Sequence, residues 1–221
     1  MTIRNSYSIN RDVRSVLSAL LGLGMLAGWS GEAKAQATPA KGVPQQVLDG
    51  AEAAAKILGQ QVLKGNFSFS IQRMYPRWKR RAAMRVGGED KLAQRLMDIP
   101  ELMRKKGITM LSFEALKPKT GHEVFLGRGQ DEAGKPIQMY LEWLVFVPTR
   151  AQYRVIDPST GQAKKIETRG FQVAVVKKGT NQWYFIDGSN LTIPELRSFF
   201  PGLPEDQALL GLPTVGGGEL K

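Results

Sequence analysis

The sequence predicts an α+β domain with helices first and an antiparallel sheet second. Three observations carry this. Apolar residues recur at three- and four-residue steps up to Gly107; after it they alternate; and the alternating stretches are joined by short turn-forming segments that build consecutive hairpins. Alternating βαβ units, and the parallel sheet they imply, are not the pattern here.

Val47, Ala51, Ala54, Leu58 and Val62 form the stripe of a first helix, with Pro44 suited to its first turn and Gly65 as its stop. A second helical stretch covers 67–85 and is interrupted or restarted at Pro76. Gly87-Gly88 ends it, and Glu89 and Asp90 open a third helix with acids where the helix dipole favours negative charge. Leu92, Leu96, Ile99 and Met103 give this helix its apolar stripe, Pro100 kinks or divides it, and Lys105-Lys106-Gly107 stops it. Strands then cover 108–115 and 122–127. After the turn at Gly134-Lys135-Pro136, alternation from Ile137 to Pro148 marks a long strand. Asp157-Pro158-Ser159-Thr160-Gly161 is a hairpin turn, 164–177 the returning strand, 178–181 another turn and 182–186 the last strand. Thr192-Ile193-Pro194-Glu195 is a capping-box pattern that opens a short helix to Phe199. Gly216-Gly217-Gly218 reads as a flexible tail, and there is no internal repeat.

The first 35 residues stand apart. Arg4, Arg11 and Arg14 precede an apolar or small run from Val16 to Trp29, and Ala33-Lys34-Ala35 follows with small residues at signal-peptidase spacing. The run falls short of the roughly 20 residues that span a bilayer. A secretory signal cleaved after Ala35 is expected, with Ala35-Gln36-Ala37 as a second site. No cysteine follows, which excludes a bacterial lipoprotein. The expected organisation is a signal peptide over 1–35, a flexible lead-in over 36–43, one domain over 44–204 and a tail over 205–221. The mature protein is placed in the periplasm or outside the cell, with no transmembrane anchor after cleavage.

Composition narrows the chemistry. The chain has 221 residues, no cysteine and one histidine, His122. That excludes disulfide scaffolds, thiol nucleophiles, cysteine-held metals and His-rich metal clusters. No phosphate-cradling glycine loop or metal-ligand spacing is present, so neither a cofactor nor a metal is expected. The net charge is +11, from 31 basic and 20 acidic residues. Between Glu52 and Glu89 there is no acid, while Lys56, Lys64, Arg73, Arg77, Lys79, Arg80, Arg81 and Arg85 fall there. Arg73, Arg77, Arg81 and Arg85 are spaced by four, so one continuous helix would align them, with Ile71, Tyr75, Trp78 and Ala82 on another face. Together with Arg80 they form a candidate anion-binding face for an envelope phosphate, polymer or acidic partner. The alternative is a solvated face paired with the Glu89, Asp98 or Glu101 region. Export argues against nucleic acid as the partner.

The order of elements resembles the nuclear transport factor two-like superfamily, also called SnoaL-like, with its cystatin-like α+β barrel. Trp183-Tyr184-Phe185-Ile186-Asp187-Gly188-Ser189, then Leu196, Phe200-Pro201 and Leu203-Pro204, looks like the ending of exported bacterial members of unassigned function. Gly87-Gly88-Glu89-Asp90-Lys91-Leu92, with Lys106-Gly107-Ile108, resembles their middle helix. The resemblance covers 44–204. It implies N-terminal helices packed in a curved antiparallel sheet, a cone-shaped α+β barrel whose open end is a pocket.

On that template Tyr75, Tyr140, Glu142, Trp143, Tyr184 and Asp187 are pocket candidates, polar groups in an apolar wall suited to a small apolar ligand. Tyr140 and Glu142 share one side of their strand and Trp143 the other, so not all of them face one pocket. Superfamily isomerases and dehydratases use an acidic base and an oxyanion-holding group. Glu142 and Asp187 are the candidates for such a base, provided they are buried. His122, beside Gly121 at the start of an edge-like strand, reads as an exposed structural residue. The sequence therefore favours a non-catalytic envelope binding protein. An isomerase- or dehydratase-like enzyme and a module that forms homodimers through its sheet are the alternatives.

Overall fold

A computed structural model describes residues 42–131 and 133–220. The expected signal peptide and most of the lead-in lie outside the described residues. Among the described residues five helices come first: α1 Gln45–Leu63, α2 Phe67–Gln72, α3 Pro76–Val86, α4 Glu89–Met97 and α5 Ile99–Lys105. Strands β1 Ile108–Ala115, β2 Thr120–Gln130, β3 Pro136–Ile156, β4 Ala163–Lys177 and β5 Trp183–Asp187 follow. The chain closes with α6 Ile193–Phe199, α7 Gln207–Leu210 and β6 Gly216–Leu220. The α+β class holds.

The helix boundaries follow local chemistry. Pro76 does not kink one long helix; it starts a new one, and between α2 and α3 Met74 forms a parallel bridge with Phe185 of β5. Tyr75 N donates to Phe185 O at 2.9 Å and Phe185 N to Arg73 O at 2.7 Å. Gly87 ends α3 at φ 90°, in the left-handed region that favours glycine, and its N–H returns to Ala83 O. Pro100 falls at the start of α5, so the third predicted helix is divided into α4 and α5. The side chain of Thr192 caps α6 through Glu195 N at 3.3 Å. The Glu195 carboxylate turns to Arg85 instead, so the capping box is formed on one side.

The sheet has six strands in the order β1-β3-β4-β5, with β2 also on β3 and β6 also on β4. It is open: β1 and β5 end the path, and no ladder joins them. β3 is 21 residues long. Its first half pairs with β2 and its second half with β1, along the same edge, while β4 runs along the other edge.

The strand predicted to finish near Pro148 continues for eight more residues because of where that proline sits. The Pro148 carbonyl accepts from Leu116 N at 2.8 Å. The N and C=O of one strand residue face the same neighbour, so the missing N–H falls in the gap where β2 gives way to β1. It removes nothing from the β4 ladder. β2 is likewise longer than the expected 122–127. Asp157 forms the β3–β4 turn through Oδ1, which accepts from Ser159 N at 2.9 Å and Ser159 Oγ at 2.6 Å.

Alternation sorts the core onto two faces. Leu144, Phe146, Val173, Val175 and Ile186 pack with Trp78, Ala82, Leu196 and Phe200 on one side. Val145, Val147, Ala174 and Phe185 pack under α1 through Ala51, Ala55 and Leu58 on the other. Farther along that second face, Ala151, Tyr153, Val155 and Ile166 form a third cluster with Ile108.

The C-terminal region corrects the expectation of a flexible tail. Gly216–Leu220 is strand β6, paired antiparallel with Lys165–Arg169. Gly217 is required by close approach, since a Cβ there would lie 2.7 Å from Glu167 O. Leu210 is fully buried, and its carbonyl accepts from His122 Nε2 at 2.9 Å. His122 is therefore half-buried, edge-on to Phe146, and not the exposed histidine expected. Leu210→Ala should destabilise the fold by about 2–5 kcal/mol, as buried leucine truncations do. Leu209→Ala, at a site 71% exposed, should stay within about 0.5 kcal/mol. Urea titration of the two variants checks this, and equal midpoints would show that this segment is not part of the fold.

Candidate functional site

The face that carries α1 is interrupted by a polar belt. Along β3 the inward residues run Val145, Val147, Thr149, Ala151, Tyr153 and Val155. Across β4 their neighbours are Ala174, Gln172, Gly170, Thr168 and Ile166, and Asp187 lies beside Gln172 on β5. Apolar patches at either end are covered by helix and strand. Between them a cavity of about 560 Å³ opens, lined by α1, α2, Trp78 of α3, α4, α5, β1 and this belt. Leu58, Ile71, Met74, Trp78, Met103 and Phe113 make most of its wall apolar. Gly59 helps shape it, because a Cβ there would lie 1.9 Å from the Phe113 ring, so only glycine lets that ring lie on α1.

Asp187 is the carboxyl in this cavity. Its Oδ1 accepts from Gln172 Nε2 at 3.1 Å and from Ser189 Oγ at 3.0 Å. Burial pushes its pKa up to about 6, against the opposing pull of the Ser189 and Gln172 hydrogen bonds. Burial, then the neighbouring Asp187 charge, holds the Tyr153 hydroxyl above the usual tyrosine range. Ser70 Oγ and Trp78 Nε1 are buried without a hydrogen-bond partner, and both residues line the cavity. Two unpaired polar atoms in one cavity wall are uncommon in a finished core.

The other pocket candidates lie elsewhere. Tyr75, Tyr140, Glu142 and Tyr184 belong to the opposite side of the sheet and do not line the cavity. Tyr75 OH donates to Glu142 Oε2 at 3.0 Å, and the Tyr75 ring packs on Phe200 at 5.3 Å. Burial raises the Glu142 pKa while Tyr75, Arg77 and Lys177 oppose it. Burial and then the Glu142 charge raise Tyr75 above its usual range. Tyr140 packs on Gly202, whose Cβ, if present, would lie 3.2 Å from its hydroxyl. Trp143 is on the α1 side of the sheet under the Lys178 ammonium, 4.3 Å from its ring. Strand alternation thus puts Glu142 and Asp187 on opposite faces of the sheet, and only Asp187 lines this cavity.

The basic segment is also divided. Arg73 caps α2, 5.4 Å over the Phe69 ring, and does not continue the face of α3. Arg77, Arg81 and Arg85 do share a face of α3, and that face meets α6. Arg77 Nη1 donates to Phe199 O at 2.9 Å and Arg81 Nη1 to Ser198 Oγ at 2.7 Å. The Arg81 guanidinium lies 3.9 Å from the Phe199 ring centre, and Arg85 is 3.5 Å from Glu195. Burial and the adjacent Arg85 lower the Arg81 pKa. Lys79 pairs with Glu89 at 2.7 Å, whereas Glu101 pairs with Arg104 and Lys105. Arg80 is exposed.

Sequence reasoning missed Thr149, Tyr153, Thr168, Gln172, Ser70 and Trp78 as cavity residues. One signal was present for Thr149 and Gln172: each is a polar residue at an inward position of an otherwise apolar strand. Among the described residues, no group of three or more His, Cys, Asp or Glu is placed to hold a metal. None of the helices among the described residues is long and apolar enough to cross a membrane. No family model, no curated protein and no solved structure matches the chain.

A carboxyl whose folded pKa is raised adds stability at low pH and loses it as pH rises through that pKa. Between about pH 4 and 7, wild type should therefore lose stability relative to Asp187→Asn. The difference should be on the order of 1 kcal/mol, discounted from the full linkage value because the residue is partly open to solvent. Thermal melts of both proteins across that range measure it; a pH-independent difference would show that Asp187 titrates normally.

Proposed function

We propose that the protein is an exported binding protein of the bacterial envelope, holding a small, mostly apolar molecule in the cavity between its helices and its sheet. The observation that carries this is the cavity: about 560 Å³, within the 300–1,000 Å³ common for ligand sites, mostly apolar and furnished with one carboxyl. Its unpaired Ser70 and Trp78 polar atoms support the same conclusion. Export rests on the leader pattern in the sequence. Membership of the nuclear transport factor two-like superfamily, with its cone-shaped barrel, belongs to the same proposal, supported by the order of helices before an antiparallel sheet.

One second reading has an observation in its favour. Asp187 at a pKa of about 6, near the Tyr153 hydroxyl, has the properties of a proton-transfer group. Binding is preferred because the side chains that hydrogen-bond Asp187, Gln172 and Ser189, do not titrate. The basic face draws less support, since Arg77, Arg81 and Arg85 already hold α6.

A neutral apolar dye, N-phenyl-1-naphthylamine, should brighten on binding the mature protein. Val62→Trp, which fills the cavity from half-exposed α1, should weaken that binding at least tenfold with the melting temperature nearly unchanged. Dye binding that survives the filled cavity would overturn the proposal.

A further inference from the structure

The cavity's charge is one-sided. Arg104 and Arg169 also line it, but each has its own carboxylate partner: Arg104 with Glu101 at 2.8 Å, and Arg169 with Glu167 at 3.1 Å. Asp187 forms no ion pair among the described residues, and its donors Gln172 and Ser189 are neutral. A carboxylate enclosed by apolar walls is expensive to ionise unless a cation joins it. The walls around it include Trp78, Phe113 and Tyr153, aromatic faces that attract a cation and accept an apolar body.

We infer that the cavity selects apolar molecules ending in a protonated amine, the ammonium pairing with the Asp187 carboxylate and the hydrocarbon filling the space toward α1 and α2. This rests on the cavity being a binding site. It adds the ligand's chemical class, which the cavity's size does not give. An ammonium pairs with the ionised carboxylate, whereas a neutral ligand gains nothing from that charge, so binding of the amine should strengthen as pH rises through the Asp187 pKa of about 6. The groups facing Asp187 are Tyr153 from β3, Gln172 from β4 and Ser189 after β5. Tyr153 stays neutral over this range, being held above the usual tyrosine range. The charged residues elsewhere in the lining, Arg104 from α5 and Arg169 from β4, stand with their glutamates. The titration of the site is therefore that of Asp187.

The test is calorimetric titration of the mature chain with n-octylamine, 1-octanol and octanoate at pH 5 and pH 8. Octylamine should bind at least tenfold tighter than octanol at pH 8, with octanoate weakest. The amine's affinity should fall about tenfold at pH 5, where a group of pKa about 6 is mostly protonated. Octanol's affinity should change little. Asp187→Asn should erase the preference for the amine and leave octanol binding in place. If that variant does not fold, the pH series on the unaltered protein decides the matter. Equal affinity for amine and alcohol, or a preference that persists in Asp187→Asn, would overturn the inference while the cavity remains a binding site. Failure of all three compounds and of the neutral dye would remove both.

Discussion

The ladder between β3 and β4, from Glu142 opposite Lys177 to Ile156 opposite Ala163, decides what every other element can touch. Strand side chains alternate, so the register assigns each residue to one face, and a slip of one residue would exchange the faces. In this register Val145, Val147 and Ala174 meet α1, while Leu144, Phe146, Val173 and Val175 meet α3 and α6. It also lines up Thr149, Gly170, Gln172 and Asp187 across three strands. These positions are too polar to pack against a helix without cost, and the cavity lies over them.

The length of β3 follows from the same constraint. A strand of 21 residues is far longer than the usual five or six, and its free edge would invite aggregation unless covered. Here β2 and β1 cover that edge in succession, with Pro148 at the junction where a missing N–H does no harm. β4 is treated likewise, with β5 on one half and β6 on the other. The C-terminal strand therefore completes an edge of the sheet.

Much of this was legible in the sequence, because it is written in local chemistry. Pro76, Gly87 and Pro100 each reset the backbone within a few residues, so helix breaks could be read without knowing the partners. The end of β3 could not, since Pro148 blocks or permits a strand according to which neighbour its nitrogen faces. β6 was illegible for a similar reason: three glycines have poor strand propensity alone, and Gly217 is favoured only by the nearness of Glu167 O. Of the candidate site, the separation of Trp143 from Tyr140 and Glu142 was readable from parity. The same parity separates Tyr184 from Asp187. The cavity itself was not, because it depends on helices that stop short of covering the polar belt.

Electrostatics shows the same division between local and tertiary information. Eight bases without an intervening acid look like a surface feature in one dimension. In three, the guanidinium groups of Arg77 and Arg81 turn onto a backbone carbonyl, a hydroxyl and the Phe199 ring, and Arg85 meets Glu195 from a segment more than a hundred residues away. Arginine suits this role because its planar fork can donate several hydrogen bonds and stack on an aromatic ring at once. The charge excess thus helps fasten the C-terminal helix to the helical layer, and α6 in turn supplies Leu196, Phe199 and Phe200 to the core. Asp187 is the converse case. An isolated carboxyl in the sequence, it becomes the least compensated charge in the cavity because every nearby cation has a partner of its own. What singles it out is the absence of a counter-charge in the folded surroundings, a property that no spacing of residues along the chain encodes.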